Sequence, residues 1–201
     1  MSKYIVIFVE GETEEELYKD YIIPIVRRNM PNGMLECEVS VINVRGAGGF
    51  KNDSIMKFKR LKESNADKDF VVAMCYDTDI FEYASKPPIN WDNVEKRIKK
   101  VGAEKVIRVA AKRSIEDWLL YDLEGLCKWL RIQVPSKLSG KTGYDKLKSL
   151  FRQKNKTYIK GKKVEGLLMR LDIDKIMNKV NGELKPLISE LKQSTKQWTL
   201  R

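Results

Sequence analysis

The chain predicts an α/β fold: a parallel sheet with helices on both faces. Three observations lead there. Tyr4 to Val9 and Phe70 to Tyr76 are continuous apolar runs rich in β-branched and aromatic side chains, as expected of strands buried on both sides. Helical patterns alternate with the strand patterns, giving the order β-α-β-α-β-α-β. Both long apolar runs end in acids, Glu10-Gly11 and Asp77-Thr78-Asp79, and the carboxyl edge of a parallel sheet is where ligands bind.

Tyr4 to Val9 reads as the first strand. Thr13 to Arg28 reads as a helix, with Thr13-Glu14-Glu15-Glu16 as a capping box and its acids favouring the helix dipole. Residues 38–44 alternate in polarity and read as the second strand. Arg45-Gly46-Ala47-Gly48-Gly49 is a loop, either a cradle of backbone N–H groups for a phosphate or a plain connection; it is neither GxGxxG nor a Walker sequence. Asp53 to Ser64 is a helix with Ile55, Phe58 and Leu61 at helical spacing. The third strand spans 69–76, and a loop containing Pro87-Pro88 spans 80–90. Asn93 to Lys100 is a helix for which Gly102 suits the C-cap, and 105–110 is the fourth strand. From Ser114 the pattern is helical, with Ile115, Trp118, Leu119, Leu126, Trp129 and Leu130 on one stripe. Further helices are expected around 143–153, 164–171 and 183–192.

The 201 residues suffice for one full domain and an appendage. No apolar stretch reaches the roughly 18 residues of a membrane span. Lys3 leads into a strand-like run without a small-residue cleavage site, so no signal peptide is expected. The three cysteines are isolated and histidine is absent, which excludes a zinc site of the usual kind and fits reduced thiols in the cytoplasm. Beyond Pro135 the composition shifts. Residues 136–165 hold nine Lys, one Arg and two acids, a net +8 out of the chain's +11. We therefore expect a first domain at 1–132 and a basic helical appendage at 133–201. Such charge calls for an anionic partner, most simply nucleic acid. Tyr144, Phe151 and Tyr158 lie among the lysines, either as stacking surfaces or as helix core.

The acids form the candidate site. Glu10 ends an apolar strand, with Gly11 expected to allow a sharp turn. Asp77 and Asp79 are two apart, so strand alternation points both the same way. Carboxylates gathered at one edge suit a hard divalent cation, and Glu14 is a candidate additional ligand. Ser114 is a candidate N-cap. Glu116 shares a flank with Leu120 and Leu123 beside the buried stripe, whereas Asp117 falls with Tyr121 and Lys128 toward solvent; Glu116 is thus the acid expected to enter the site. Lys112 and Arg113 follow the fourth strand and are placed either to contact a scissile phosphate or simply to be solvated. An acidic cation site in a basic chain points to phosphodiester chemistry, because the ion offsets repulsion between carboxylates and phosphate.

Val9-Glu10-Gly11-Glu12-Thr13-Glu14 together with Asp77-x-Asp79 resembles the Toprim domain of topoisomerases, primases and OLD-family nucleases. Ser114-x-Glu116-x-Trp118-Leu119-Leu120 resembles a further motif of RloB-like proteins. The resemblance covers roughly residues 3–125. It implies a Rossmann-like Toprim fold using Mg²⁺ or Mn²⁺, with Glu10 as acid/base or ligand and Asp77 and Asp79 as ligands. It also implies a nuclease associated with phage defence and, as in some OLD-type systems, a partner ATPase. The combined expectation is a cytoplasmic, metal-dependent nuclease with Glu10, Glu116 and Lys112 catalytic, Glu10, Glu14, Asp77 and Asp79 holding the metal, and Arg113, Lys141, Lys154, Lys156, Lys160, Lys162 and Lys163 binding nucleic acid. The alternative is a non-catalytic nucleic-acid-binding module that acts with a partner protein. A phosphotransfer receiver domain fits poorly, since it needs an acidic pair after the first strand and a lysine after a fifth.

Overall fold

A computed structural model describes residues 2–79 and 89–193. The first strand, β1 (Ser2–Val9), leads into a continuous helical stretch: α1 (Glu12–Glu16), a wider π-wound segment (Leu17–Ile22) and α2 (Ile23–Arg28). Then follow β2 (Cys37–Asn43), a 3₁₀ turn (Ala47–Lys51), α3 (Asp53–Ser64), β3 (Lys68–Asp77), α4 (Trp91–Val101) and β4 (Lys105–Ala111). The remainder is helical: α5 (Ile115–Leu119), a 3₁₀ turn (Leu120–Asp122), α6 (Leu123–Leu130), α7 (Gly143–Arg152), a 3₁₀ turn (Leu168–Arg170), α8 (Ile173–Lys179) and α9 (Asn181–Lys192). The expected loop at 80–90 lies almost entirely outside the described residues. The helix expected at 164–171 is reduced to the turn at 168–170, while α8 went unanticipated. No helix among the described residues is long and apolar enough to cross a membrane.

The four strands are parallel, in the order β2-β1-β3-β4. Helices cover both faces, as expected of an α/β fold of Rossmann-like form. Alternation sorts the side chains. Tyr4, Val6, Phe8, Phe70, Val72 and Met74 meet α3 and α4 on one face. Ile5, Ile7, Val9, Val71, Ala73 and Cys75 meet the first helical stretch and α5–α9 on the other. Asp77 continues this second phase, which aims it under α1 and α5.

The C-terminal segment, expected to stand apart, covers this second face. Leu147, Leu150, Phe151, Tyr158, Ile176, Leu184, Leu187 and Leu191 share one buried cluster with β1 and β3. Phe151 and Tyr158 stack edge-on to each other inside it, so these aromatics are core rather than nucleic-acid platforms. Apolar spacing within a lysine-rich stretch marks a helix that buries one face and solvates the other. The three cysteines are free thiols, as expected, with burial pushing Cys75 up to about 12.

Charge pins α9 to the sheet. Lys3, almost fully buried at the amino end of β1, donates to Glu190 Oε2 at 3.0 Å and to the Glu190 carbonyl at 2.7 Å. Lys105 also pairs with Glu190. Burial works against the charged Glu190, but these two lysines hold its carboxyl below the usual range. Replacing Glu190 with Ala removes the carboxylate that buried Lys3 shares with Lys105 and is expected to cost about 3–5 kcal/mol in urea denaturation. Lys3→Met combined with Glu190→Leu should recover most of that loss. A cost below about 1 kcal/mol for Glu190→Ala would show that the pair does not hold the helix in place.

Candidate functional site

Glu10, Glu14, Asp77, Asp79 and Glu116 gather at the carboxyl edge of the sheet, where β1 and β3 lie side by side. The pairing of β3 with β4 runs through Asp77 and Ala111, and the Thr78 and Asp79 N–H groups continue it by bonding to the Ala111 and Arg113 carbonyls at 3.2 and 2.8 Å. The Asp77 N–H donates to Glu10 Oε1 at 3.0 Å. Asp77 Oδ1 accepts the Ile115 N–H at 3.0 Å and so caps α5 from a neighbouring strand. Ser114 occupies the expected N-cap position of α5, but its hydroxyl donates to Asp117 Oδ2 rather than accepting a backbone N–H. Glu116 is fully buried and accepts the Tyr158 hydroxyl at 3.1 Å, while Asp117 is half-buried. Glu116 is therefore the inward acid of the two.

Lys160, which sequence reasoning placed on a nucleic-acid surface, lies inside this cluster. Its ammonium is 2.6 Å from Asp79 Oδ2 and 3.2 Å from Asp77 Oδ2, the latter an ion pair without hydrogen-bond alignment. Lys162 and Lys163 remain exposed but are also paired with acids of α1: Lys162 with Glu12 at 2.7 Å and Lys163 with Glu16 at 3.4 Å. The capping box at Thr13 does not form. Helix α1 starts one residue earlier, after Gly11, and the Thr13 hydroxyl donates to the Lys162 carbonyl. Thr13 and Glu16, now inside the helix, both bond to the lysine loop.

Gly11 does not make the expected sharp turn either; its φ of −140° is extended backbone. What it provides is room. A Cβ there would sit 2.7 Å from Glu14 Oε2 and 2.8 Å from the Gly161 Cα, and the Glu12 N–H bonds the Gly161 carbonyl across this contact.

The electrostatics follow from crowding acids away from water. Burial, then the Asp77 charge, pushes the Glu10 carboxyl up to about 8. Burial, then Glu116 and Glu10, pushes Glu14 up to about 7. Burial and the Glu14 charge hold Asp77 well above the usual carboxylate range. Burial, then the adjoining Glu116, raises the Tyr158 hydroxyl. For Lys160, burial works against the charge, but the Asp79 hydrogen bond and the Asp77 and Glu116 charges outweigh it and raise the ammonium.

Glu14 Oε2, Asp77 Oδ2, Asp79 Oδ1 and Glu116 Oε2 are buried without a hydrogen-bond partner. Buried oxygens in that condition fit a hard cation, and the Lys160 ammonium stands where such charge is wanted. Among the described residues no three such side chains are already gathered around one coordination point; the two aspartates converge on the ammonium instead. Asp77 and Asp79, with Glu10 and Glu14 beside them, are the residues that would hold an ion.

The cluster opens on a cleft of about 1070 Å³, walled by Glu10, Gly46, Lys57 and Lys160. The glycine loop forms one side, with the Gly46 N–H bonded to the Glu10 carbonyl at 2.7 Å. Lys112 is exposed, and its backbone N–H bonds Glu183 Oε2 at 2.6 Å, which orients α9 rather than a substrate. Arg113 adopts a left-handed backbone, donates its N–H to the Thr78 hydroxyl and reaches the Lys141 carbonyl at 3.5 Å. Lys141, Lys154 and Lys156 are exposed and lie outside the acid cluster.

The acids make stability pH-dependent. Glu10, Glu14 and Asp77 all have folded-state values above their ordinary ones, so over this range the folded chain holds more protons than the unfolded chain. Without divalent cations, stability is expected to be greatest near the ordinary value of 4.5 and to fall as pH rises toward about 8. Each tenfold difference in proton affinity between the folded and unfolded chain is worth about 1.4 kcal/mol, so Glu10, raised further than Glu14, should account for more of the loss than Glu14 does. Glu10→Gln should flatten this slope in urea denaturation with EDTA. Equal slopes in wild type and variant would contradict the burial of Glu10.

No protein-family model, no curated protein and no solved structure matches this chain.

Proposed function

We propose that this chain is a divalent-metal-dependent nuclease that hydrolyses phosphodiester bonds of DNA or RNA. The observation that carries the reading is the cluster of five carboxylates at the sheet's carboxyl edge, four of whose buried oxygens have no hydrogen-bond partner. A bound Mg²⁺ or Mn²⁺ supplies Lewis-acid charge at the phosphate. Asp77 and Asp79 hold the ion, with Glu14 alongside. Glu10 lines the cleft beside the aspartates, where its carboxyl would be in reach to carry a proton between water and the leaving oxygen. Glu116, fixed by Tyr158, adds negative charge behind the aspartates. Lys160, at the cleft wall, is placed to meet a phosphate oxygen. The resemblance to small Toprim proteins of the OLD and RloB types agrees with this reading and extends it to a cytoplasmic role in phage defence with a partner ATPase.

One observation favours a second reading. Lys160 already neutralises Asp77 and Asp79, as would suit a non-catalytic nucleic-acid-binding module that acts with a partner.

Cleavage of single- and double-stranded DNA and RNA, with Mg²⁺ or Mn²⁺ and an EDTA control, separates the two. Glu10→Gln and Asp77→Asn preserve the acceptor oxygens that bond the Asp77 and Ile115 N–H groups, and should lower cleavage by about 10²–10⁴-fold without unfolding the chain. Glu116→Gln, which keeps the Tyr158 bond, should weaken cleavage more than Asp117→Asn. Wild-type protein that binds these substrates and cuts none of them, with or without a candidate ATPase, would hand the case to the binding module.

A further inference from the structure

A second cleft, of about 1010 Å³, lies between the end of α6 and the segment 165–170. Lys128, Arg131, Lys154, Lys156 and Arg170 line it, against one acid, Glu165. None of these five cations is in an ion pair among the described residues. The contrast with the acid cluster is direct, since Lys160, Lys162 and Lys163 are all consumed by carboxylates. Two unpaired lysines of the basic segment, Lys154 and Lys156, therefore meet three further cations from α6 and 165–170 in this cleft, residues that charge counting alone would not select.

We propose that this cleft binds the phosphodiester backbone of a single nucleic-acid strand. Two of its cations are arginines, whose planar guanidinium forks match phosphate oxygens two at a time. Arg131 ends α6 in the left-handed conformation at φ 56°, a position that usually falls to glycine. Asn155, between the two cleft lysines, is also left-handed. Trp129 is no stacking platform: Lys156 lies over its ring at 4.7 Å and Phe151 packs against it at 5.7 Å. Recognition is therefore of the backbone and independent of base. The cations line a concavity of ligand-pocket size, which admits one strand rather than the convex surface of a duplex.

The cleft is tied to the acid cluster. Lys156 and Lys160 are four residues apart, so at most roughly 14 Å of chain separates them, and Tyr158 between them is anchored on Glu116. A strand seated in the cleft lies within a few nucleotides of the acids. That the strand leads to a cutting site rests on the nuclease reading; that the cleft holds it does not.

The test is fluorescence anisotropy of a labelled 12-nucleotide single strand with full-length protein in EDTA, so that cleavage plays no part. The variant Lys128→Glu/Lys154→Glu/Arg170→Glu is compared with Arg60→Glu/Lys96→Glu/Lys100→Glu, an equal charge change at exposed positions of α3 and α4 on the opposite side of the sheet. Thermal melts establish that both fold. The cleft variant should bind roughly tenfold or more weakly, with a log-affinity against log-salt slope shallower by about 2, at roughly 0.7 per single-strand phosphate contact. The control should stay within about twofold of wild type. Equal losses in both variants, or no loss in the cleft variant, would overturn the proposal. So would competition by poly-glutamate or ATP as effective as that by unlabelled strand, since the cleft would then be a site for acidic protein or free nucleotide.

Discussion

The carboxyl edge of this sheet depends on one ammonium group. Five acids converge there because two apolar strands end together and α5 starts beside them. Such a gathering, largely out of water, is tolerated only where the acids take up protons or a cation neutralises them. Lys160 supplies the cation, reaching Asp77 and Asp79 from the far end of the sequence. Burial also raises the carboxyls of Glu10 and Glu14, which eases the uptake of a proton there. With both means available, the edge is balanced yet still holds buried oxygens without partners, a condition that suits a group meant to be exchanged.

The same lysine explains why the C-terminal segment is no appendage. Its helices bury the sheet face that β1 and β3 present, Glu190 takes up the charge of Lys3 beneath that face, and the loop carrying Lys160 closes over the top. At both ends of the strands a charge on the sheet pairs with an opposite charge from the C-terminal segment: Lys3 with Glu190 at one, Asp77 and Asp79 with Lys160 at the other. The basic composition of residues 136–165 thus divides in two. One part is internal and neutralises acids that the first half of the chain cannot leave alone. The other is external, and it is this remainder that bears on anionic partners.

The strands and their acids were legible in the sequence because both signals are local. An apolar run of seven residues followed by a carboxylate needs no partner to be recognised, and Glu116 could be told from Asp117 by its flank on a single helix. The role of Lys160 was not legible. Nothing in Lys160-Gly161-Lys162-Lys163 distinguishes a lysine bound for a buried aspartate from one bound for solvent, and its partners lie about eighty residues away in sequence. Thr13 misled for the same reason. Its spacing to Glu16 fits a capping box, but the helix begins at Glu12, so Thr13 lies inside the first turn and its hydroxyl donates to a backbone carbonyl of the distant loop. Gly161 was the available signal: a glycine within a lysine run, set at φ 75°, marks a backbone that must turn or approach another closely.

That approach constrains how the site works. Gly11 and Gly161 touch backbone to backbone, with the Glu12 N–H bonded to the Gly161 carbonyl and Glu14 Oε2 against the same contact. The turn that carries Glu10 and the loop that carries Lys160 are therefore joined on both sides of the acids, by this bond and by the Lys162–Glu12 pair. Lys160 cannot leave Asp77 and Asp79 by a swing of the whole loop without breaking these contacts. Its long side chain can move alone, because its stem is partly in solvent: 39% of the side chain is accessible, against 3% for Asp77. Exchange of this ammonium for another cation would thus need only a rotamer change over a fixed backbone. Geometry at the edge is preserved while its charge changes, as a preorganised site requires.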